Sequence, residues 1–150
     1  VTELNTRVLK EARAWIGTPY RHQASLKGAG TDCLGLIRGV WREIYGDEPL
    51  KVPAYTADWS EPLGQETLLL AAKQCLVERV GVSRWDTPIG TVVVFRMNAR
   101  SVAKHLGIIS AEGDQPRFIH AYSGHGVVES PLSPAWARRI AAQFTFPERI

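Results

Sequence analysis

The chain has 150 residues, 45% of them apolar, enough for one hydrophobic core and too few for two ordinary domains, so residues 1–150 read as a single domain. A net charge of +3 scattered along the chain demands no nucleic-acid partner, and no apolar run is long enough for membrane insertion. Two cysteines, Cys33 and Cys75, make no disulfide framework. Without a Cys-x-x-Cys or His-x-x-x-His pair, no metal or organic cofactor is expected.

Glu3, Arg7, Lys10, Glu11 and Arg13 break up any apolar core of a signal peptide in the residues present, while the start at Val1 leaves open a leader removed earlier. Val8, Leu9, Ala12, Trp15 and Ile16 form one stripe, predicting a helix over Thr6–Ile16 with Asn5 or Thr6 as cap and Gly17 as stop. Thr18-Pro19-Tyr20 turns the chain, and Arg21–Gly30 reads as a loop. A second helical stripe, Cys33, Ile37, Val40, Trp41 and Ile44, follows Thr31 as cap and Asp32 in the first turn, and Gly46 closes it. Asp47–Gly64, with Pro49, Pro53 and Pro62, reads as an irregular excursion, and Gln65–Val80 as a third helix.

After Gly90 the pattern turns β-branched and alternating. Candidate strands are Thr91–Arg96, Lys104–Ser110, Arg117–Tyr122, Gly126–Glu129 and Gln143–Phe146, with a short helix within Pro134–Ile140. Helices first and strands second make an α+β domain, with N-terminal helices on one face of a C-terminal antiparallel sheet of about five strands.

Cys33 at a helix start has a physical reason to be reactive, because the partial positive charge there favours thiolate. A nearby imidazole would take its proton and a third polar group would fix that imidazole's tautomer. His105 and His120 lie on adjacent predicted strands. Pairing of these around Ala111–Pro116 brings Gly107 near Phe118 or His120 and sets both histidines on one face. His22 and His125 fall in predicted loops and read as surface residues, and Cys75 as a buried, inert thiol. On spacing alone, a structural reading of Cys33 and the histidines competes evenly with the catalytic one.

Four blocks shift that balance: Gly17-Thr-Pro-Tyr20, Gly30-Thr-Asp-Cys-Leu-Gly-Leu36, Lys104-His-Leu-Gly-Ile108 and Phe118-Ile-His-Ala121. In order and spacing they resemble the signature blocks of the NlpC-type cell-wall cysteine peptidases, over nearly the whole chain from Leu9 to about Phe146. The resemblance implies a papain-like domain with Cys33 as nucleophile, His105 as general base and His120 as the residue orienting it. It also implies Tyr20 and Asp32 as substrate-binding residues, although Asp32 has an equally good structural reason to stand in a first helical turn. The expected activity is hydrolysis of an amide in the peptidoglycan stem peptide, between D-glutamate and diaminopimelate or lysine.

Two residues depart from the family's usual pattern: Leu34 follows the nucleophile where serine is common, and Thr91 stands where a Gly-Asp turn has aspartate. The Thr-Pro-Tyr, Ser25-x-Lys27-Gly28 and Asp-Cys-Leu-Gly-Leu wording looks most like the subgroup carried by tailed phages and phage-like particles. That subgroup implies delivery at a virion tail tip, with tail-tip or hub proteins as partners and synthesis in the cytoplasm without an export signal. A structural tail-tip or tail-assembly protein keeping the fold, and an amidase on the same fold, remain the alternatives.

Overall fold

The computed structural model describes residues 2–49, 66–98 and 100–148. The first helix, α1 (Glu3–Ala14), starts three residues earlier than its apolar stripe predicts. Thr2 is the cap, its hydroxyl accepting from the Asn5 N–H at 3.1 Å. Two short strands, β1 (Ser25–Leu26) and β2 (Gly30–Thr31), form a hairpin within the predicted loop. Helix α2 (Cys33–Tyr45) follows directly, capped by Asp32 and not by Thr31.

The predicted excursion lies outside the described residues from 50 to 64, as does Gln65 at the start of the predicted third helix. That helix, α3 (Thr67–Cys75), is shorter than its pattern suggests. Val77 and Glu78, assigned to it from sequence, form strand β3. The helical spacing of Leu68, Leu69, Ala72, Leu76 and Val80 extends the helical reading too far; pairing with a distant strand overrides local periodicity there.

The remaining elements are β4 (Val92–Arg96), β5 (Ala103–Ala111), β6 (Arg117–Tyr122), β7 (Gly126–Pro131), α4 (Pro134–Ala137) and β8 (Ile140–Thr145). They build one antiparallel sheet of six strands in the order β3-β8-β4-β5-β6-β7, one strand more than expected. The fold class is α+β as the order of elements indicates. No helix among the described residues is long and apolar enough to cross a membrane.

The alternation of the strands separates two cores. Val92, Val94, Leu106, Ile108 and Ile119 face α1, α2 and α3, where they meet Val8, Ala12, Leu36, Val40 and Leu68. Val93, Phe95, Ile109 and Phe118 face the other way and are covered by Leu132 and Ala137, with Trp136 and Ile140 packed at the edge. Helices therefore occupy both faces, because α4 crosses to the side that the sequence reading left uncovered. A strand buried on both sides, like β4, needs a cover on each.

Two close approaches hold α2 in place. A Cβ on Gly39 would stand 1.9 Å from the buried Trp15 ring, so α1 and α2 cross with the indole lying over the bare glycine backbone. A Cβ on Gly35 would stand 2.0 Å from the Ala24 carbonyl oxygen, so the segment before β1 lies flat on the first turn of α2. Gly39→Ala forces Trp15, 2% exposed, out of its rotamer and should cost about 1–3 kcal/mol, typical of overpacking a core. The check is the urea midpoint at unchanged slope.

Candidate active site

The segment after α1 is positioned by main-chain pairing. Gly17 N–H donates to the Val127 carbonyl and Val127 N–H to the Thr18 carbonyl, both at 2.9 Å, which docks Gly17-Thr18 on the start of β7. On the other side, Thr31 N–H donates to the Pro19 carbonyl at 2.9 Å and Arg21 N–H to the Thr31 carbonyl at 3.0 Å. The Gly-Thr-Pro-Tyr block is thus wedged between β7 and β2, and it delivers Tyr20 to the first turn of α2. Burial is the largest cause raising the Tyr20 phenol to about 12, ahead of Cys33 and Asp32.

Asp32 closes the same corner. One carboxylate oxygen accepts from Gly35 N–H at 2.8 Å and the other from Gln23 N–H at 2.7 Å. Gln23 adopts a left-handed backbone (φ 63°), a conformation costing about 1 kcal/mol or more outside glycine, and the charge-assisted bond to Asp32 offsets it. His22 Nδ1 lies 3.9 Å from the second carboxylate oxygen. The buried Asp32 carboxylate is therefore engaged in holding helix and loop together, which favours its structural role over the substrate-binding one.

Cys33 begins α2 and is 6% exposed. Its sulfur lies against the start of β5, donating to the Lys104 carbonyl at 3.9 Å. A register shift makes this possible: Phe95 pairs with His105 and Arg96 with Ala103, so Lys104 is the extra residue of a bulge. The thiol is pushed up to about 12, by burial first and by the Asp32 carboxylate second, against the pull of the Leu106, Leu34 and Cys33 N–H groups. Desolvation works against the helix start here and favours the neutral thiol.

His105 and His120 stand on the α4 side of the sheet, as the register Ile108↔Ile119 and Ile109↔Phe118 requires. His105 Nε2 and His120 Nδ1 are 2.8 Å apart, and His120 Nε2 is 2.9 Å from Ser130 Oγ on β7. Aromatic rings enclose the pair: Phe95 beside His105 (5.8 Å), Phe118 on His120 (4.1 Å), and Trp136 of α4 over both (5.7 and 5.5 Å). Gly107 makes room for them, since a Cβ there would meet Phe118 at 2.7 Å and His120 Cβ at 3.4 Å. Burial holds His105 down to about 3, helped by His120, and His120 down to about 4, helped by His125.

Cys33 and His105 line one cavity of about 150 Å³. Tyr20, His22 and Asp32 form one side, Met97 and Lys104 another, and Ala121, Tyr122 and Ser123 close it. His120 does not line it, so of these two histidines only His105 shares the cavity with Cys33. Neither Leu34 nor Thr91 lines it either. His22 and His125 are exposed as expected, His22 also lining the cavity, and Cys75 is only half-buried. Ser130 and Trp136 carried no signal in the sequence beyond the strand and short helix that hold them.

Both titrations have consequences. In the unfolded chain each histidine binds its proton near pH 6.5. The folded pair stays neutral well below that, so its stability contribution is full above pH 6.5 and is lost as pH falls toward about 3 and 4. At pH 5 the loss is about 2 kcal/mol per histidine. The urea midpoint should fall between pH 7 and pH 5, and His105→Gln should remove about half of that fall; equal slopes in both proteins would contradict it. Alkylation of Cys33 by iodoacetamide should keep accelerating above pH 9, where a low-pKa thiolate would already have reached its plateau.

Comparison with solved structures gives the same architecture. A lipoprotein-like protein of the NLP/P60 family from Staphylococcus aureus aligns over 99% of this chain, with TM-score 0.60 and 21% identity, and this chain spans 43% of its length. The NlpC/p60 domain of the peptidoglycan hydrolase SagA aligns over 95% of this chain and 98% of its own, with TM-score 0.62 and 19% identity. Ly7917, which has also been crystallised with the hydrolysis product of MDP, aligns over 98% of this chain and 63% of its own, with TM-score 0.58 and 14% identity. A search of curated protein sequences found no match. The NlpC/P60 family model matches residues 17–144, from the Gly-Thr-Pro-Tyr block to the last strand, and the chain belongs to the NlpC/P60 family.

Proposed function

We propose that the chain is a cysteine peptidase of the cell wall, hydrolysing an amide bond of the peptidoglycan stem peptide. The observation that carries this reading is the meeting of Cys33 and His105 in one cavity, with the far nitrogen of His105 bonded to His120 at 2.8 Å. That bond leaves Nδ1 as the nitrogen of His105 able to take a proton.

The reaction starts from a neutral thiol and a neutral imidazole. As the sulfur forms its bond to the substrate carbonyl, the S–H bond breaks and His105 Nδ1 receives the proton. The N–H groups of Cys33 and Leu34, at the start of α2, face the sulfur and are the donors available to the developing oxyanion. His105 then gives its proton to the departing amine, leaving an acyl group on Cys33. Water, deprotonated by His105, hydrolyses that ester of sulfur and restores the thiol.

In this reading the cavity, about 150 Å³, takes the scissile amide while the rest of the strand lies across its mouth. For the bond itself, D-glutamyl to diaminopimelate is the proposal, supported by the family resemblance of the four blocks. Substrate chemistry of this kind is also supported by the neighbours, one a peptidoglycan hydrolase and one bound to a product of MDP hydrolysis. Action at the tail tip of a phage-like particle is supported by the wording of the first two blocks alone.

Digestion of purified peptidoglycan by the wild type should release soluble stem-peptide fragments, identified by mass spectrometry, and Cys33→Ala should release none. Fragments from Cys33→Ala would assign the nucleophile elsewhere. Release of whole stem peptides from the glycan, with no internal cut, would make the enzyme an amidase instead.

A further inference from the structure

The proton on His105 has two possible positions, and only one lets it work as a base. If His120 Nε2–H donates to Ser130 Oγ, then His120 Nδ1 is bare, accepts from His105 Nε2–H, and leaves His105 Nδ1 free to take the thiol proton. If Ser130 donates instead, every hydrogen bond in the row reverses and His105 carries its proton on Nδ1, where it meets Cys33 as a second donor. The distances, 2.8 Å between the rings and 2.9 Å to Ser130 Oγ, fit either sense of the row. The tautomer is thus decided at its outer end.

We propose that Ser130 is a positioning residue, the hydrogen-bond acceptor that fixes His120, and through it His105, in the tautomer with the proton on Nε2. This rests on the assignment of His105 as the base. Register places Ser130 where it can do so: on β7 opposite Phe118, one pleat from His120 and on the same side of the sheet. It is half-buried on an edge strand, whereas His105 and His120 are 8% and 1% exposed. In the proposed arrangement the serine turns its own O–H away from the ring, toward the solvent side of the edge strand, and presents an oxygen lone pair to His120 Nε2–H. Ser130 Oγ is the group bonded to His120 Nε2, at 2.9 Å, while Phe118, Trp136 and Tyr122 pack their rings against the imidazole. Without the serine oxygen, His120 Nε2–H would lose the acceptor it has in the folded protein, and with it the preference for the working tautomer. Ser130 itself gains and loses no proton.

The test compares the full-length wild type with Ser130→Ala, Ser130→Thr and Ser130→Val, the last two differing only in a hydroxyl against a methyl. Imidazole 15N shifts of the resting proteins report which ring nitrogens carry protons, and kcat and KM are measured on a soluble stem peptide. Wild type and Ser130→Thr should carry the proton on Nε2 of both histidines, while Ser130→Ala and Ser130→Val show mixed tautomers. In those two, kcat should fall about tenfold, the size of one lost buried hydrogen bond, at unchanged KM. Protonated Nδ1 on His120 in the wild type, or identical tautomers in all four proteins, would overturn the proposal. If the wild type fails to turn over any stem peptide, the hydrolase reading fails while the 15N shifts still decide the role of Ser130.

Discussion

The site depends on the docking of the first turn of α2 against the bulged start of β5. Cys33 belongs to the helical side of the sheet and His105 to the opposite side, and they share a cavity at the bulged start of β5. Three separate devices keep the helix there. Gly39 lets Trp15 lie against its backbone, Gly35 admits the Ala24 carbonyl, and the Asp32 carboxylate ties Gly35 and Gln23 together. Each places a group at a distance that a larger or uncharged residue would not allow, so the motif residues around the cysteine serve position first.

Electrostatics follow from that position. A cysteine buried beside a carboxylate and an imidazole buried under a tryptophan both favour their neutral forms. In the proposed reaction the charged pair therefore arises as the sulfur bonds to the substrate carbonyl, with backbone N–H groups to receive the oxyanion. The cost is borne by the histidines, which sit neutral in an enclosure that would not tolerate their protonation.

Much of this was legible in the sequence. Cys33, His105 and His120 sit in short words whose glycines have local reasons: Gly35 for the loop that crosses α2, Gly107 for the Phe118 and His120 side chains that cross β5. The period of two in β5 and β6 sufficed to put both histidines on one face. Less legible were the limits of elements set by distant partners, such as β3, which is a strand because β8 pairs with it. His22 is the exposed loop histidine that the sequence indicates, but that it also lines the cavity was not legible, because a residue in an irregular loop carries no periodicity.

By itself the sequence determined which side chains are chemically able to act and on which elements they lie, because helix caps, alternation and close-packed glycines are rules of neighbours in the chain. Tertiary structure alone decided what surrounds them. Ser130 reaches His120 through strand register, Trp136 covers both rings because α4 crosses to the second face, and burial set the thiol neutral where a helix start alone argued for thiolate. Desolvation and hydrogen-bond partners come from residues remote in sequence, and no local pattern encodes which of them will arrive.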